Sequence, residues 1–116
     1  MIYRLQWGVI EIQRYLTDTG KDVFGEWIRT LRDRAAVSRI FTRIDRMSAG
    51  NRGDSKAVGE GVHELRIDHG SGYRVYFARA GDVLILLLCG GDKSTQSRDI
   101  RQAIQYWQDY KQRRSQ

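Results

Sequence analysis

Three cations, Arg66, Arg74 and Lys93, stand at or near the ends of successive strand-like stretches in residues 59–100, GEGVHELRIDHGSGYRVYFARAGDVLILLLCGGDKSTQSRDI. Hairpin connections would bring them within one side chain's reach of each other. Guanidinium groups donate in a planar fork to phosphate oxygens, and lysine adds a mobile point charge. Together such groups stabilise the extra negative charge of a phosphorane-like transition state. Function is therefore sought first at this end of the strands.

Metal-free RNA cleavage also needs an aligned 2′-hydroxyl, a base for its proton and an acid for the leaving oxygen. His63, His69, Glu64, Asp68 and Asp99 are the groups at hand. His69, at a strand end beside a Gly-rich turn, is the better histidine, because His63 shares parity with the core-facing Leu65 and Ile67. A lone histidine is still more often structural than catalytic. His69 and Asp99 are carried forward for proton transfer. Tyr76 could stack on a base, although an aromatic on a sheet face more often packs. Thr95 and Lys93 open a helix whose amides favour an anion, against the plainer reading of an ordinary cap. GGDKST lacks the GxxxxGK[ST] spacing, and no Cys/His pattern suggests zinc, so neither cofactor nor metal is expected.

The elements that must position these groups are legible as periodicities. In Val62 to Asp68, Leu65 and Ile67 alternate with Glu64, Arg66 and Asp68, which directs Arg66 away from the helices. Gly70-Ser71-Gly72 makes a tight connection. Tyr73, Val75 and Phe77 then alternate with Arg74 and Tyr76, so Arg74 joins Arg66 on an open face. Val83 to Cys89 is apolar throughout, the pattern of a central strand covered on both sides.

Upstream, Val9 to Tyr15 fits a first strand. After a capping stretch at Thr17–Gly20, Val23, Phe24, Trp27, Ile28 and Leu31 recur at helical spacing. Asp33 caps a second helix with Val37, Ile40, Phe41, Ile44 and Met47 on one face, and Gly50 ends it. On its far side Arg39, Arg43 and Arg46 line up as a basic stripe. With Lys56 they are candidate RNA contacts, set against the commoner reading of a solvated face. Residues 50–54 form a loop. A last helix, capped at Ser94/Thr95, lays Ile100, Ala103, Ile104 and Trp107 on the central strand. The expected order is β-α-α-β-β-β-α, one α+β domain over 1–116 with a small, mostly antiparallel sheet. Residues 1–7 and 112–116 are expected to be irregular or frayed.

Composition agrees with one domain and one core: 116 residues, 41% hydrophobic and 29% charged, which excludes a wholly disordered chain. The net charge is +6, and residues 29–56 alone hold eight Arg or Lys against three Asp. Such an excess suits a polyanion or an acidic protein partner. Cys89 is the lone cysteine and reads as a small buried hydrophobe. Without a charged leader or an apolar run near twenty residues, neither signal peptide nor membrane span is expected, and the cytoplasm is the expected location.

GVHELRI, GYRVYF and LLLCGGDKSTQSRDI, preceded by LRDRAAVSRIFTRIDRMSAGNRGD, resemble the HigB-type branch of the RelE/ParE toxin superfamily over residues 22–107. The resemblance implies a RelE-like fold and a type II toxin, encoded with a helix-turn-helix, HigA-like antitoxin through which the complex binds operator DNA. In the RelE and HigB branches it also implies ribosome-dependent cleavage of messenger RNA without a metal. Arg66 in ELRI, Arg74 in GYRVYF and Lys93 in GGDKSTQ match basic positions of the RelE-like site. Glu64 takes one position where a basic residue is expected, the Lys-rich strand and terminal tyrosine have no clear counterparts, and the general base is unassigned. A ParE-like gyrase inhibitor and a non-catalytic basic adaptor are the rival readings.

Overall fold

A computed structural model of the chain describes residues 10–115. The irregular start expected at 1–7, and Val9, lie outside them. Five strands and three helices follow in the order β1 (Glu11–Arg14), α1 (Val23–Thr30), α2 (Arg34–Ser48), β2 (Ser55–Gly59), β3 (Val62–Ile67), β4 (Tyr73–Ala80), β5 (Leu84–Asp92) and α3 (Gln96–Arg114). A short 3-10 turn, Lys93–Thr95, joins β5 to α3. No helix among the described residues is long and apolar enough to cross a membrane.

The class is α+β, and the sheet is mixed, in the order β1-β5-β4-β3-β2. Two features correct the expected order. β2 is an additional strand, antiparallel to β3, and β1 runs parallel to β5. β2 carries little strand signal because Ser-Lys-Ala-Val-Gly holds little apolar surface and lies among glycines. Its ladder with β3 supplies what its own side chains lack, with Ser55 opposite Leu65 and Lys56 opposite Glu64.

Alternation then sorts the core into two layers. Leu65, Ile67, Val75, Phe77, Ile85 and Leu87 pack with Phe24, Ile40, Ile44 and Met47 on the α1/α2 side. Val62, Tyr76, Ala78, Leu86, Leu88 and Cys89 pack with Ala103 and Trp107 on the α3 side. β5 is thus covered on both faces, as its unbroken apolar run implies. Asp33 caps α2 by accepting from Ala36 N at 3.1 Å. The α1 cap is Asp22, which accepts from Gly25 N at 3.0 Å, and not the Thr17–Gly20 stretch.

A bulge in β5 sets the register at the site. Tyr76 pairs with Cys89 but Phe77 with Leu87, so Leu88 is extra and both Leu88 and Cys89 turn to the α3 side. Arg74 then falls opposite Gly91. A Cβ at Gly90 would overlap the Trp27 ring, and one at Gly91 would overlap the Asp99 carboxylate. The two glycines let α1 and α3 close on opposite faces of one strand; they are packing glycines, not a phosphate loop.

α3 differs from expectation at both ends. Asp92, not Ser94 or Thr95, provides the cap, accepting from Ser94 N at 2.8 Å and Ser94 Oγ at 2.6 Å. The other end is helical to Arg114, past the fraying expected from residue 112. Tyr15 donates to Asp109 at 2.6 Å, and Arg113 donates to Asp109 at 2.9 Å and to the Leu16 carbonyl at 2.6 Å, which ties the tail to β1.

Candidate functional site

Arg66 on β3 and Arg74 on β4 are directly opposed in the ladder, so their side chains rise from one face at the sheet's end. They line a cleft of about 310 Å³ together with Asp54, Tyr73, Lys93 and the turn that joins β3 to β4. Arg66 and Arg74, selected by strand parity, and Lys93, just after the last strand, are therefore brought together. The face is not open, however. α3 covers the next row, where Glu64 and Tyr76 are fully buried.

Glu64 is the hub beneath the cleft. Its carboxylate accepts from Gln96 Nε2 at 2.7 Å, Tyr76 Oη at 3.2 Å and Arg74 Nη1 at 3.4 Å, with Arg66 Nε 3.7 Å away. A carboxylate withdrawn from water needs such compensation, and Arg74 supplies the charge. Arg74 is thereby fixed, with its side chain 11% exposed. Arg66 is looser at 39% and faces Asp54 at 3.7 Å, an exposed pair that an incoming anion can displace. The Nε groups of both arginines are buried and make no hydrogen bond, that of Arg66 lying 3.7 Å from both Asp54 and Glu64. Lys93 is exposed at the rim.

Other expected site residues lie elsewhere. Tyr76 is 0% exposed, so it cannot stack on a base; burial and then Glu64 push its phenol well above the ordinary range. His69 turns to α2, where its Nε2 lies 2.9 Å from Asp33 Oδ2, and it does not line the cleft. The Ala36 amide and then His69 hold the Asp33 carboxyl below its usual value. Asp99 sits under Gly91, accepts from Thr95 Oγ1 at 2.5 Å and lies 3.3 Å from Arg98, again outside the cleft. Thr95 is thus engaged by Asp99 and lines a neighbouring depression that Lys93 borders. Lys56 is exposed on β2 opposite Glu64, on the sheet's edge. Of the α2 stripe, Arg39 and Arg46 are exposed, whereas Arg43 folds onto β3 and donates to the Arg66 carbonyl at 2.7 Å.

Two cleft residues escape the sequence reading. Tyr73, given no site role by its alternation with Arg74, is half-buried, tilts against Trp27 at 6.5 Å and lines the cleft. Asp54 comes from the loop before β2. Glu64 carried a signal, since it shares parity with Arg66 and faces Tyr76 across the ladder. Chemically the cleft can bind a phosphate-sized anion through Arg66 and Lys93, beside an aromatic ring, against an arginine that a buried carboxylate keeps in place.

Fold and site define a small α+β protein with a cationic cleft at the open end of a mixed sheet. Residues 26–108 match the family described as Phage derived protein Gp49-like (DUF891), and the chain belongs to that family. The match takes in most of α1 and every cleft residue. The chain is also similar to an uncharacterized protein of Haemophilus influenzae (strain ATCC 51907 / DSM 11121 / KW20 / Rd), 52% identical over 80 residues, which cover 69% of this chain and 81% of the relative.

Proposed function

We propose that the chain is the toxin of a type II toxin–antitoxin pair, HigB-like within the RelE/ParE superfamily, and cleaves messenger RNA on the ribosome. The observation that carries the reading is the convergence of Arg66, Arg74 and Lys93 on one cleft. A five-stranded sheet with two helices on one face and one on the other supports the RelE-like assignment. In this reading Arg66 and Lys93 bind the scissile phosphate and Arg74, oriented by Glu64, stabilises charge as the 2′-oxygen attacks the phosphorus and the bond to the 5′-oxygen breaks. This leaves a 2′,3′-cyclic phosphate and a 5′-oxygen protonated by water. Tyr73, and not the buried Tyr76, takes the stacking role. The proton acceptors on the cleft wall are the carboxylates Asp54 and Asp68, not His69 or Asp99. Its partners are a HigA-like antitoxin, which would carry the complex to operator DNA, and the translating ribosome in the cytoplasm.

Primer extension on cellular transcripts after induced expression tests this reading. Cuts within reading frames that disappear in the double variant Arg66→Gln/Lys93→Gln are expected. Both side chains are solvent-accessible, so the variant should fold, whereas Arg74→Ala would strand Glu64 in the core. Intact transcripts with DNA damage would favour a ParE-like gyrase inhibitor. Intact transcripts with normal growth would favour a non-catalytic adaptor.

A further inference from the structure

A second basic groove adjoins the cleft. Arg39, Thr42, Arg43 and Arg46 of α2 line about 290 Å³ of open volume together with Ile67 and Asp68, and these last two also line the cleft. One wall therefore separates two cationic hollows, one on each side of the sheet's end. Arg43 is part of the architecture: Nη1 holds the Arg66 carbonyl, while Nη2 is buried without a partner. Arg39 and Arg46 stay exposed on either side of it and are free to meet a ligand.

We infer that this groove is a second phosphate-binding subsite, which holds the RNA strand one or more nucleotides away from the phosphate in the cleft. Charge complementarity selects a polyanion. Shape selects a single strand, because the path from Lys93 past the β3–β4 turn to Arg39 bends around the sheet's end, where a stiff duplex cannot follow. Asp68 on the shared wall disfavours a phosphate directly above it, so the strand meets cations on both sides of a ridge. The substrate contacted is then an oligonucleotide segment and not a lone nucleotide.

The inference rests on the proposed RNA reading, and oligonucleotide length separates the two. Fluorescence anisotropy with non-cleavable 2′-O-methyl RNA, a dinucleotide and an octanucleotide, is measured over a salt series. The unchanged chain should bind the octanucleotide at least tenfold more tightly. Arg39→Gln/Arg46→Gln should weaken octanucleotide binding at least fivefold and leave the dinucleotide within twofold. It should also flatten the logarithmic salt slope by about 1.4, since each phosphate neutralised on a single strand accounts for about 0.7. Arg66→Gln/Lys93→Gln should weaken both. Equal binding of the octanucleotide by the unchanged chain and Arg39→Gln/Arg46→Gln would overturn the groove while leaving the cleft standing. Failure of the unchanged chain to bind the octanucleotide would also overturn the groove, whereas the cleavage reading, which concerns message held on the ribosome, stands or falls on the primer-extension result.

Discussion

Glu64 determines what each side chain of the cleft is free to do. It occupies Arg74 and Tyr76 inside the fold and leaves Arg66 and Lys93 to meet a ligand. Glu64→Gln leaves Arg74 without its counter-charge and should cost about 3 kcal/mol, the scale for breaking a buried pair. Tyr76→Phe removes one hydrogen bond and should cost about 1 kcal/mol. Denaturant unfolding measures both, and equal effects would contradict the hub role. Parity was enough to place Arg66 and Arg74 on one face, since period 2 is a property of the strand itself. It gave no information on what covers that face, so Tyr76 read as a contact, and His69 and Asp99 read as catalytic although Asp33 and Thr95 engage them. A pH prediction follows from three caps. Asp22, Asp33 and Asp92 have folded pKa values lowered from 3.8, because hydrogen bonds to their carboxylates outweigh the opposing effect of burial. Their contribution is complete above that value and is lost as pH falls through the folded values. Stability should drop below about pH 4, and Asp33→Asn, which can still cap α2, should make the drop shallower.

At the scale of elements, β5 is the strand that joins site to core. Its apolar run and the helical stripes of α1 and α2 were legible because burial writes periodic patterns. β2 was not, since a short edge strand is held by its neighbour's backbone more than by its own side chains. The bulge at Leu88 was also silent, because an apolar run has no alternation to break. Gly91 shows what the bulge achieves: the missing Cβ admits Asp99, whose side chain steadies the start of α3 beside Lys93. Gly91→Ala should therefore lower stability by about 1–3 kcal/mol through overpacking. Thermal unfolding checks this, and an unchanged midpoint would mean that α3 shifts freely away from the strand. Gly72→Ala is an unsuitable control despite its open surroundings, because φ there is 89°.

For the whole molecule, the net charge is +6; residues 29–56, with the α2 arginines, carry five of these charges, and Arg66, Arg74 and Lys93 supply the cations of the adjoining cleft. The α+β class was legible from the sequence; the parallel pairing of β1 was not, because strand order across a long connection leaves no local trace. Long-range charge accelerates encounter with a polyanion, and screening by salt should slow it. Most of the rate in the proposed reaction comes from fixed cations at the phosphate, where loss of one donor typically costs about 100-fold to 1000-fold. The decisive measurement is single-turnover cleavage of a defined messenger RNA on programmed ribosomes by the purified chain. Cleavage by the unchanged chain is expected, with a rate lower by at least about 100-fold for Arg66→Gln/Lys93→Gln at unchanged stability. Uncut message with the unchanged chain, or equal rates for the two proteins, would contradict the proposed function.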